Sequence, residues 1–411
     1  MRTELLTGGQ YSLYRVLLGS YLLVHFAHLV PWAAEVFGRG GLIADASLSP
    51  LMAVLPPVLH ALDSPSLITA LVALGAVGGL LVAIGWFDRS AAILCAALLA
   101  YLHARNPLIA NPSLPLLGWL LLAHACTPPR PYGSVAALRH GLDVHWRLPM
   151  SIYASAFIVL AVSYSYSGYT KLLSPGWVSG DAIPEVLHNP LARDHWLRDV
   201  LVGLPAVFLQ ALTWLVIAIE LLFAPLALWR RLRLPIWLSM LLIQFGFLVF
   251  LDFADLTAPM LLAHLLTFDP RWIRPASPAR LLFDGRCGFC HANVRFALIE
   301  DAAQRLQFAS LQSQGRENHS SIVLIDATGA EHQRSAAVIG VLYRLGGYWW
   351  LLAWALRAIP KPVRDAGYDL VGRLRYRLGK RFANDTCPLL PTELMSRLGA
   401  HPSANAGPVQ F

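Results

Sequence analysis

Two cysteines three positions apart, Cys287 and Cys290, carry the clearest chemistry in the chain. They follow a short apolar run at 281–283 and precede residues with the apolar spacing of a helix, so we expect the pair at a strand-to-helix junction. The unpaired N–H groups and the dipole of a first helical turn stabilise a thiolate relative to a thiol. Because thiolate is the attacking species in thiol–disulfide exchange, Cys287 is predicted as the nucleophile. Cys290, one turn later and less exposed, is predicted as the resolving cysteine.

Two charged residues, Asp284 and Arg286, lie just before the first cysteine and are predicted to set its charge and proton environment. The same cysteines could instead form half of a zinc site, but zinc needs four protein ligands, or three and a water. His291 is awkwardly placed for that role and Cys387 stands alone, so no metal is predicted. A purely structural cysteine pair is the other alternative.

The segment around the cysteines has the pattern of alternating strands and helices. The first predicted helix covers 287–302 and a second begins at Ser335. Strands are predicted at 279–283, 306–309, 322–325 and 331–334. The order strand, helix, strand, followed by two more strands and a helix, is typical of a small α/β layer structure.

The motif Asp-Gly-x-Cys-x-x-Cys at 284–290, after an apolar strand, resembles the signature of the DCC thiol-disulfide oxidoreductase family. The resemblance extends through Arg-Ser-Ala-Ala at 334–337 and ends with Cys-Pro-Leu-Leu-Pro at 387–391, so it covers about residues 279–397. It implies a thioredoxin-like fold, a protein or small-molecule disulfide or thiol as partner, and no cofactor beyond the cysteines. The chain departs from thioredoxins in having no proline before the strand predicted at Ile322, so the resemblance does not imply how substrate docks.

The rest of the chain has the composition of a membrane protein. Of the 411 residues 56% are hydrophobic and 14% are charged, against about 25% charged in soluble domains. A bilayer core needs about 20 apolar residues per helix. Eight spans are therefore predicted, with the third and fourth as an alternative re-entrant hairpin: 12–31, 66–87, 90–104, 113–126, 150–170, 204–229, 234–253 and 257–268.

These patterns divide the chain into three predicted parts. Residues 8–272 are predicted to form an α-helical polytopic membrane domain with about eight transmembrane helices. Residues 279–397 are predicted to form the small α/β, thioredoxin-like domain, and residues 401–411 a disordered tail.

Positive charge predicts which side of the membrane each loop faces. Lys and Arg collect in cytoplasmic loops, and the cluster Arg-Arg-Leu-Arg at 230–233 marks the turn after the sixth span as internal. Both termini are then predicted on the cytoplasmic side of a bacterial-type inner membrane, with the lipid bilayer as a partner. The pI near 9.4 reflects these loops and a basic C-terminal helix, so no nucleic-acid partner is predicted.

The basic segment at 361–381 combines seven Lys and Arg residues with apolar residues at helical spacing, such as Val363, Leu370 and Leu374. The favoured interpretation is an amphipathic helix packed on the thiol domain. The alternative is a helix that lies on anionic lipid headgroups. The two are compatible, because the domain is predicted to be tethered just below the bilayer.

A polar cluster lies at the end of the predicted fifth span. Tyr164, Tyr169 and Lys171 lie there, Trp177 follows, and Glu220 lies within the sixth span. Polar residues inside spans are costly and indicate function by default. A lysine partly removed from water loses proton affinity and can act as a base, so Lys171 is a candidate catalytic residue and the other four are candidate cofactor-binding residues. An interfacial lysine that reaches back to water is the alternative.

The patterns Tyr-x-x-x-Gly-x-x-Lys-Leu at 164–172 and Trp-x-x-Gly at 177–180 resemble the HTTM domain, which is related to vitamin K-dependent gamma-carboxylase. The resemblance covers residues 8–272 and implies that Lys171 lies at the position of the carboxylase's catalytic base. The large lumenal domain of carboxylases has no counterpart here, so peptide carboxylation is not expected. A lipid-soluble quinone is the cofactor that both halves of the chain would accommodate.

Three functions follow, in order of support. The first is a membrane-anchored thiol–disulfide oxidoreductase of the protein-disulfide reductase type. The second is a quinone-dependent or carboxylase-like enzyme centred on Lys171, with the thiol domain as electron donor. The third is a non-enzymatic transporter or assembly factor whose thiol domain only senses redox state.

Overall fold

The computed structural model describes residues 5–109, 111–274, 276–316 and 321–382, and for 375–382 it describes the backbone alone. The predicted tail and Cys387 therefore lie outside the described residues. A helical part comes first in the chain and a part with a β-sheet follows. The helices of the first part are α1 (Gly8–Leu29), α2 (Ala33–Phe37), α3 (Pro65–Ile84), α4 (Asp88–Arg105), α5 (Ser113–Ala125), α6 (Val135–His140), α7 (Met150–Leu172), α8 (Pro175–Ser179), α9 (Ala182–His188), α10 (Trp196–Val202), α11 (Ala206–Leu221), α12 (Phe223–Leu228), α13 (Arg233–Phe250) and α14 (Ala254–Thr267).

Helices α1 and α3 pack with their backbones in close contact. A Cβ atom on Gly19 would lie 2.2 Å from the backbone nitrogen of Ala83, and one on Gly79 would lie 2.5 Å from that of Leu23. Only glycine allows this approach, as is common between helices in membranes. The core-facing residues of α1 recur every four positions, so one side of the helix packs inward: Tyr14, Leu18, Leu22 and Phe26.

Within the described ranges, four helices are long and apolar enough to cross a bilayer: Gly8–Phe37, Pro65–Ile84, Met150–Leu172 and Arg233–Phe250. Helices α10 and α11 meet at an angle of 105° and add a fifth span if the bent pair is counted as one. The helical part is thus compatible with a membrane protein, but the predicted eight crossings are not confirmed.

The difference has a physical cause at each missing span. The predicted sixth span at 204–229 is interrupted, because α11 ends at Leu221 and Pro225 lies in a separate short helix. The predicted fourth and eighth spans correspond to α5 and α14, whose 13 and 14 residues fall short of the roughly 20 that a bilayer core requires. The third, α4, has 18 residues but includes Asp88, Arg89 and Arg105.

The second part of the described chain contains one four-stranded sheet in the order β2-β1-β3-β4. Strands β1 and β2 are parallel, while β3 pairs antiparallel with both β1 and β4. All four strands end within one residue of the predicted positions. The elements are β1 (Ala279–Phe283), α15 (Gly288–Glu300), β2 (Leu306–Ser310), β3 (Val323–Asp326), β4 (Glu331–Gln333), α16 (Arg334–Leu345), α17 (Gly347–Ala358) and α18 (Lys361–Phe382).

The sheet is covered on both faces because side chains alternate along β1. Leu281 and Phe283 pack in a cluster that contains residues of α15 and α16, while Leu282 packs in a second cluster with Val323. A parallel β1–β2 pair requires a crossover, which α15 supplies. The crossover fixes where the cysteines lie, since α15 begins beside the carboxyl ends of β1 and β2.

Candidate functional site

The cysteine pair lies at the start of α15. Cys287 is the N-cap residue, with φ −107° and ψ 110°, and its carbonyl accepts the first helical hydrogen bond from the His291 N–H at 3.1 Å. Cys290 lies within the first turn. The predicted strand-to-helix junction is therefore present, with Cys287 at the N-terminal end of α15, where its side chain makes no capping hydrogen bond.

The exposure of the two thiols is the reverse of the prediction. Cys287 is 1% exposed and Cys290 is 8% exposed. Both belong to the apolar cluster that also includes Phe283 and Val294. The helical spacing correctly predicted a buried Cys290, but spacing carries no information on how deeply an N-cap residue is covered by the rest of the fold.

The turn before Cys287 is held by a small polar network. The Asp284 carboxylate accepts from the backbone N–H of Arg286 and from the Gln312 side-chain amide, both at 3.0 Å. The Gln312 amide oxygen accepts from the N–H of Gly285 at 3.0 Å, and a His291 ring nitrogen lies 2.9 Å from the Gly285 carbonyl. Asp284 therefore shapes the turn that presents the cysteines.

Gln312, which was not among the residues predicted from the sequence, is also a member of this network. Gln312 comes two residues after β2, and parallel strands bring their carboxyl ends together, so the sheet topology was the signal that could have found it. Gly285 is tightly placed here, since a Cβ atom would lie 3.1 Å from both the Gln312 amide oxygen and the Ser310 Cβ. Arg286 is exposed at the surface of the turn.

A cavity of about 390 Å³ reaches Cys290 from the side of α15 that faces α16 and α18. Its wall is mainly apolar and includes Phe283, Phe289 and Leu356, with Tyr368 and Ser335 among the polar groups. This volume is in the range of sites that bind small molecules or single side chains. The structure thus offers an apolar approach to the second thiol of the pair.

Metal coordination finds no support in the described part of the chain. No group of three His, Cys, Asp or Glu side chains there is arranged to hold a metal ion. The nearest histidine to the cysteines, His291, uses one ring nitrogen on the Gly285 carbonyl and packs edge-on against Phe283.

The second candidate site, in the helical part, brings together three of its five predicted residues. Lys171 Nζ lies 2.6 Å from a Glu220 carboxylate oxygen and 2.8 Å from the Ser167 hydroxyl. The ammonium group also lies 4.9 Å from the centre of the Trp177 ring. The predicted catalytic base is thus paired with a buried carboxylate in an ion pair.

The tyrosines divide between two environments. Tyr164 is buried, and its hydroxyl accepts from the Gln244 amide at 3.1 Å and lies 3.4 Å from His264 Nδ1. Tyr169 is exposed and its ring contacts Tyr166, so the structure does not bring it into the site. Gln244 was missed, although an amide in the middle of an otherwise apolar helix is a detectable signal.

The ion pair gives a stability prediction. Lys171→Ala would leave the Glu220 carboxylate buried without its counter-ion, so we expect a loss of about 3–5 kcal/mol. The double variant Lys171→Met, Glu220→Leu removes both charges and is expected to lose less. Thermal unfolding of the two detergent-solubilised variants measures the difference, and equal losses would argue against a coupled pair.

A third cluster, for which the sequence shows no local pattern, joins the thiol domain to the helical part. Glu300, the last residue of α15, is fully buried. Its carboxylate accepts hydrogen bonds from the Thr7 hydroxyl, from the Gly9 N–H at 2.9 Å and from the Trp349 indole N–H at 2.7 Å. A carboxylate at the N-terminus of α1 is stabilised by the unpaired N–H groups there.

The fit around Glu300 leaves no spare room. A Cβ atom on Gly9 would lie 2.7 Å from the Glu300 carboxyl carbon. Nearby, Tyr348 donates from its hydroxyl to the Leu265 carbonyl at 2.5 Å and from its backbone N–H to the Gln10 side chain at 3.2 Å. Burial raises the pKa of Glu300 above its ordinary value, and the bonds from Thr7, Trp349 and Gly9 offset part of that effect.

Comparison with known proteins locates the similarity in the C-terminal part. The family model described as DCC1-like thiol-disulfide oxidoreductase matches residues 281–381. That segment contains both cysteines, the sheet from Leu281 onwards and most of α18. The resemblance of residues 8–272 to the HTTM domain stays a prediction.

Two curated proteins share this region. The protein named "Uncharacterized protein YuxK" of Bacillus subtilis (strain 168) is 34% identical over 113 residues, which cover 25% of this chain and 81% of YuxK. The "DCC family protein At1g52590, chloroplastic" of Arabidopsis thaliana is 31% identical over 120 residues, which cover 26% of this chain and 68% of that protein. No solved structure matches the chain. Through its C-terminal domain, the chain belongs to the DCC1-like thiol-disulfide oxidoreductase family.

Proposed function

We propose that this protein is a membrane-anchored thiol–disulfide oxidoreductase that reduces protein or peptide disulfides with Cys287 and Cys290. The observation that carries the proposal is the position of Cys287 as the N-cap of α15. The element order supports a thioredoxin-like fold for this domain: a strand, a helix and a parallel strand are followed by an antiparallel hairpin and a helix. The membership of this domain in a thiol-disulfide oxidoreductase family supports the same activity.

The reaction proceeds by two exchanges. The Cys287 thiolate attacks one sulfur of the substrate disulfide, so a mixed disulfide forms and one substrate thiolate leaves and takes up a proton. Cys290 then loses its proton and attacks the Cys287 sulfur, which releases the second substrate thiol and leaves a Cys287–Cys290 disulfide. Two electrons have passed to the substrate, and a dithiol reductant returns the pair to its reduced state.

The geometry assigns a part to each neighbour of the thiols. Negative charge on Cys287 is favoured by the first turn of α15 before it attacks the substrate disulfide. Asp284 and Gln312 hold the preceding turn in place. Because Cys287 is 1% exposed, a substrate reaches it only when the surrounding chain opens locally.

The assignment of Cys290 as the resolving cysteine has a direct test. The variant Cys290→Ser is expected to accumulate the mixed disulfide, since the second exchange has no thiol to carry it out. Incubation of the reduced variant with a peptide disulfide, followed by non-reducing mass spectrometry, should show the peptide attached at Cys287. If attachment occurs on Cys290 in the reciprocal variant Cys287→Ser and not in Cys290→Ser, the two roles are exchanged.

Membrane anchoring is the second element of the proposal, with both termini on the cytoplasmic side of a bacterial-type inner membrane. It is supported by the four apolar helices of sufficient length and by the Lys and Arg cluster at 230–233. Extraction tests it, because an anchored chain stays with the membrane in alkaline carbonate and is released by detergent. Release by carbonate alone would contradict anchoring.

A second candidate function rests on the ion pair in the helical part. Lys171 and Glu220 lie close to the buried Tyr164 network, and ionisable groups among apolar helices indicate function. Two atoms of that network, His264 Nε2 and Gln244 Oε1, are buried without a hydrogen-bond partner in the described residues. Both atoms act as acceptors, because His264 Nδ1 faces the Met260 carbonyl at 2.9 Å and therefore carries the ring proton. The hydroxyl of a quinol, the reduced form of a quinone, is a donor of the right polarity to engage them. Quinone in a lipid extract of the purified protein, lost in Lys171→Ala, would favour this candidate.

A further inference from the structure

The helix α17 presents an apolar face that the rest of the described chain leaves uncovered. Leu351, Leu352 and Trp354 are exposed, with Trp354 at 59%. The opposite side packs on the thiol domain through Ala353, which is fully buried, and Leu356. A helix that is apolar on both sides has its outer side in contact with something other than water.

The position of α17 indicates what that contact is. Its first turn lies against the two ends of the helical part: Tyr348 bonds to the Leu265 carbonyl near the end of α14, and to Gln10 near the start of α1. The first candidate span begins at Gly8. The exposed face of α17 therefore begins at the level where the spanning helices leave the bilayer.

The helix α18 continues this pattern with its polar side turned inward. Asp365 accepts from the Ser335 hydroxyl, Asp369 lies 3.6 Å from Arg334, and the Tyr368 hydroxyl accepts from the Ile322 N–H at 3.2 Å. The residues left outside are apolar and exposed: Val363, Leu370 and Leu374. Packing on the domain thus uses the polar side of α18 and leaves its apolar stripe free for another surface.

We propose that α17 and α18 lie on the surface of a bilayer that contains anionic lipid, with their apolar faces among the upper acyl carbons. Arg357 on α17 and Lys361 and Arg373 on α18 are exposed and suit acidic headgroups. The two acids of α18 within this segment are engaged with Ser335 and Arg334. This inference rests on the proposed membrane anchoring and adds to it that the thiol domain is held against the bilayer by its own helices.

Fluorescence quenching in nanodiscs tests the proposal on the full chain. Dansylalanine replaces Leu352 in one sample and Gln314 in a second. Gln314 is an exposed residue beyond the carboxyl end of β2, the end of the sheet away from Glu300. The quenchers are doxyl groups placed on the acyl chains of phosphatidylglycerol, close to the headgroups. The probe at 352 is expected to lose about half of its fluorescence intensity, because a helix at the headgroup boundary lies beside these quenchers. The probe at 314 is expected to lose none.

A separate comparison tests whether the placement of α17 depends on anionic lipid. Quenching at 352 is expected to fall when the discs contain phosphatidylcholine alone, and also in the double variant Arg357→Gln, Lys361→Gln. Quenching that neither change reduces would overturn the role of anionic lipid. Equal quenching at 352 and 314 would overturn the whole inference. A dimer that is stable in detergent and is dissociated by Leu352→Glu would also overturn the inference. The apolar face of α17 would then contact a second copy of the chain and not lipid.

Failure of this inference is distinguishable from failure of the proposed function. A chain that does not enter nanodiscs contradicts anchoring itself. A chain that enters them and reduces peptide disulfides, but shows no quenching at 352, contradicts only the surface placement of α17 and α18.

Discussion

Replacing Cys287 by serine is expected to slow peptide-disulfide reduction at least about 100-fold, which corresponds to about 2.7 kcal/mol of lost transition-state stabilisation. Serine is a favourable N-cap residue but provides no thiolate at neutral pH, so α15 should remain while the nucleophile is lost. The measurement is a single-turnover reaction between the pre-reduced protein in detergent and a fluorogenic peptide disulfide.

The matched control is Cys126→Ser, because Cys126 is an exposed cysteine that follows α5 in the helical part. It removes one thiol without touching the thiol domain, and its rate should equal that of the unmodified protein. A Cys287→Ser protein with the same rate as this control would refute the assignment of the nucleophile, and with it the proposed reaction.

Glu300→Ala is expected to have the largest effect on how the two parts of the chain hold together. The substitution leaves the Thr7 hydroxyl, the Gly9 N–H and the Trp349 N–H buried without their acceptor. Each such donor costs about 1–3 kcal/mol, so the docked state should weaken by at least about 3 kcal/mol. Hydrogen exchange at the first turn of α1 should accelerate. Proteolysis should accelerate in the linker, the segment 268–278 between α14 and β1.

A surface carboxylate provides the comparison. Glu331 forms an ion pair with Arg316 at 2.6 Å at the partly exposed edge of the same domain. Glu331→Ala is expected to change stability by less than about 1 kcal/mol, because exposed pairs contribute little. If proteolysis of the linker is as slow in Glu300→Ala as in Glu331→Ala, the buried carboxylate of Glu300 does not hold the two parts of the chain together.

The same carboxylate gives the docking a pH dependence with a definite sign. Burial raises the pKa of Glu300 in the docked chain above its ordinary value, so the docked state holds its proton more strongly than the undocked state. The contribution is complete below the ordinary pKa of a glutamate and declines as the pH rises through the raised pKa. Hydrogen exchange of α1 measured against pH should show this decline, and Glu300→Gln, which cannot ionise, should not.

The thiol domain was largely predictable because local patterns coincide there with the fold. Alternation and turn residues predicted all four strands, and the apolar spacing after Cys287 predicted α15. The burial of Cys287 was not predictable, since it depends on contacts from residues distant in the chain. The role of Glu300 was hidden for the same reason: Thr7 and Gly9 are nearly three hundred positions away.

The helical part was predicted less well because apolar composition does not by itself define a crossing. Residues 204–229 are apolar enough for one span, yet the chain breaks after Leu221. The pairing of Lys171 with Glu220 joins residues of two predicted spans, and no local pattern specifies such a partner.

The lengths of two helices place Cys287 and Cys290 far from the ion pair of Lys171 and Glu220. The 13 residues from Cys287 to Glu300 extend about 20 Å away from the start of α1, since a helix rises about 1.5 Å per residue. Along α7, Tyr153 bonds to Thr267 at the end of the helical part that meets the thiol domain, and Lys171 lies 18 residues further, about 27 Å away. We therefore expect that reducing equivalents exchanged between these two centres would need a diffusible carrier, because neither helix brings one centre to the other.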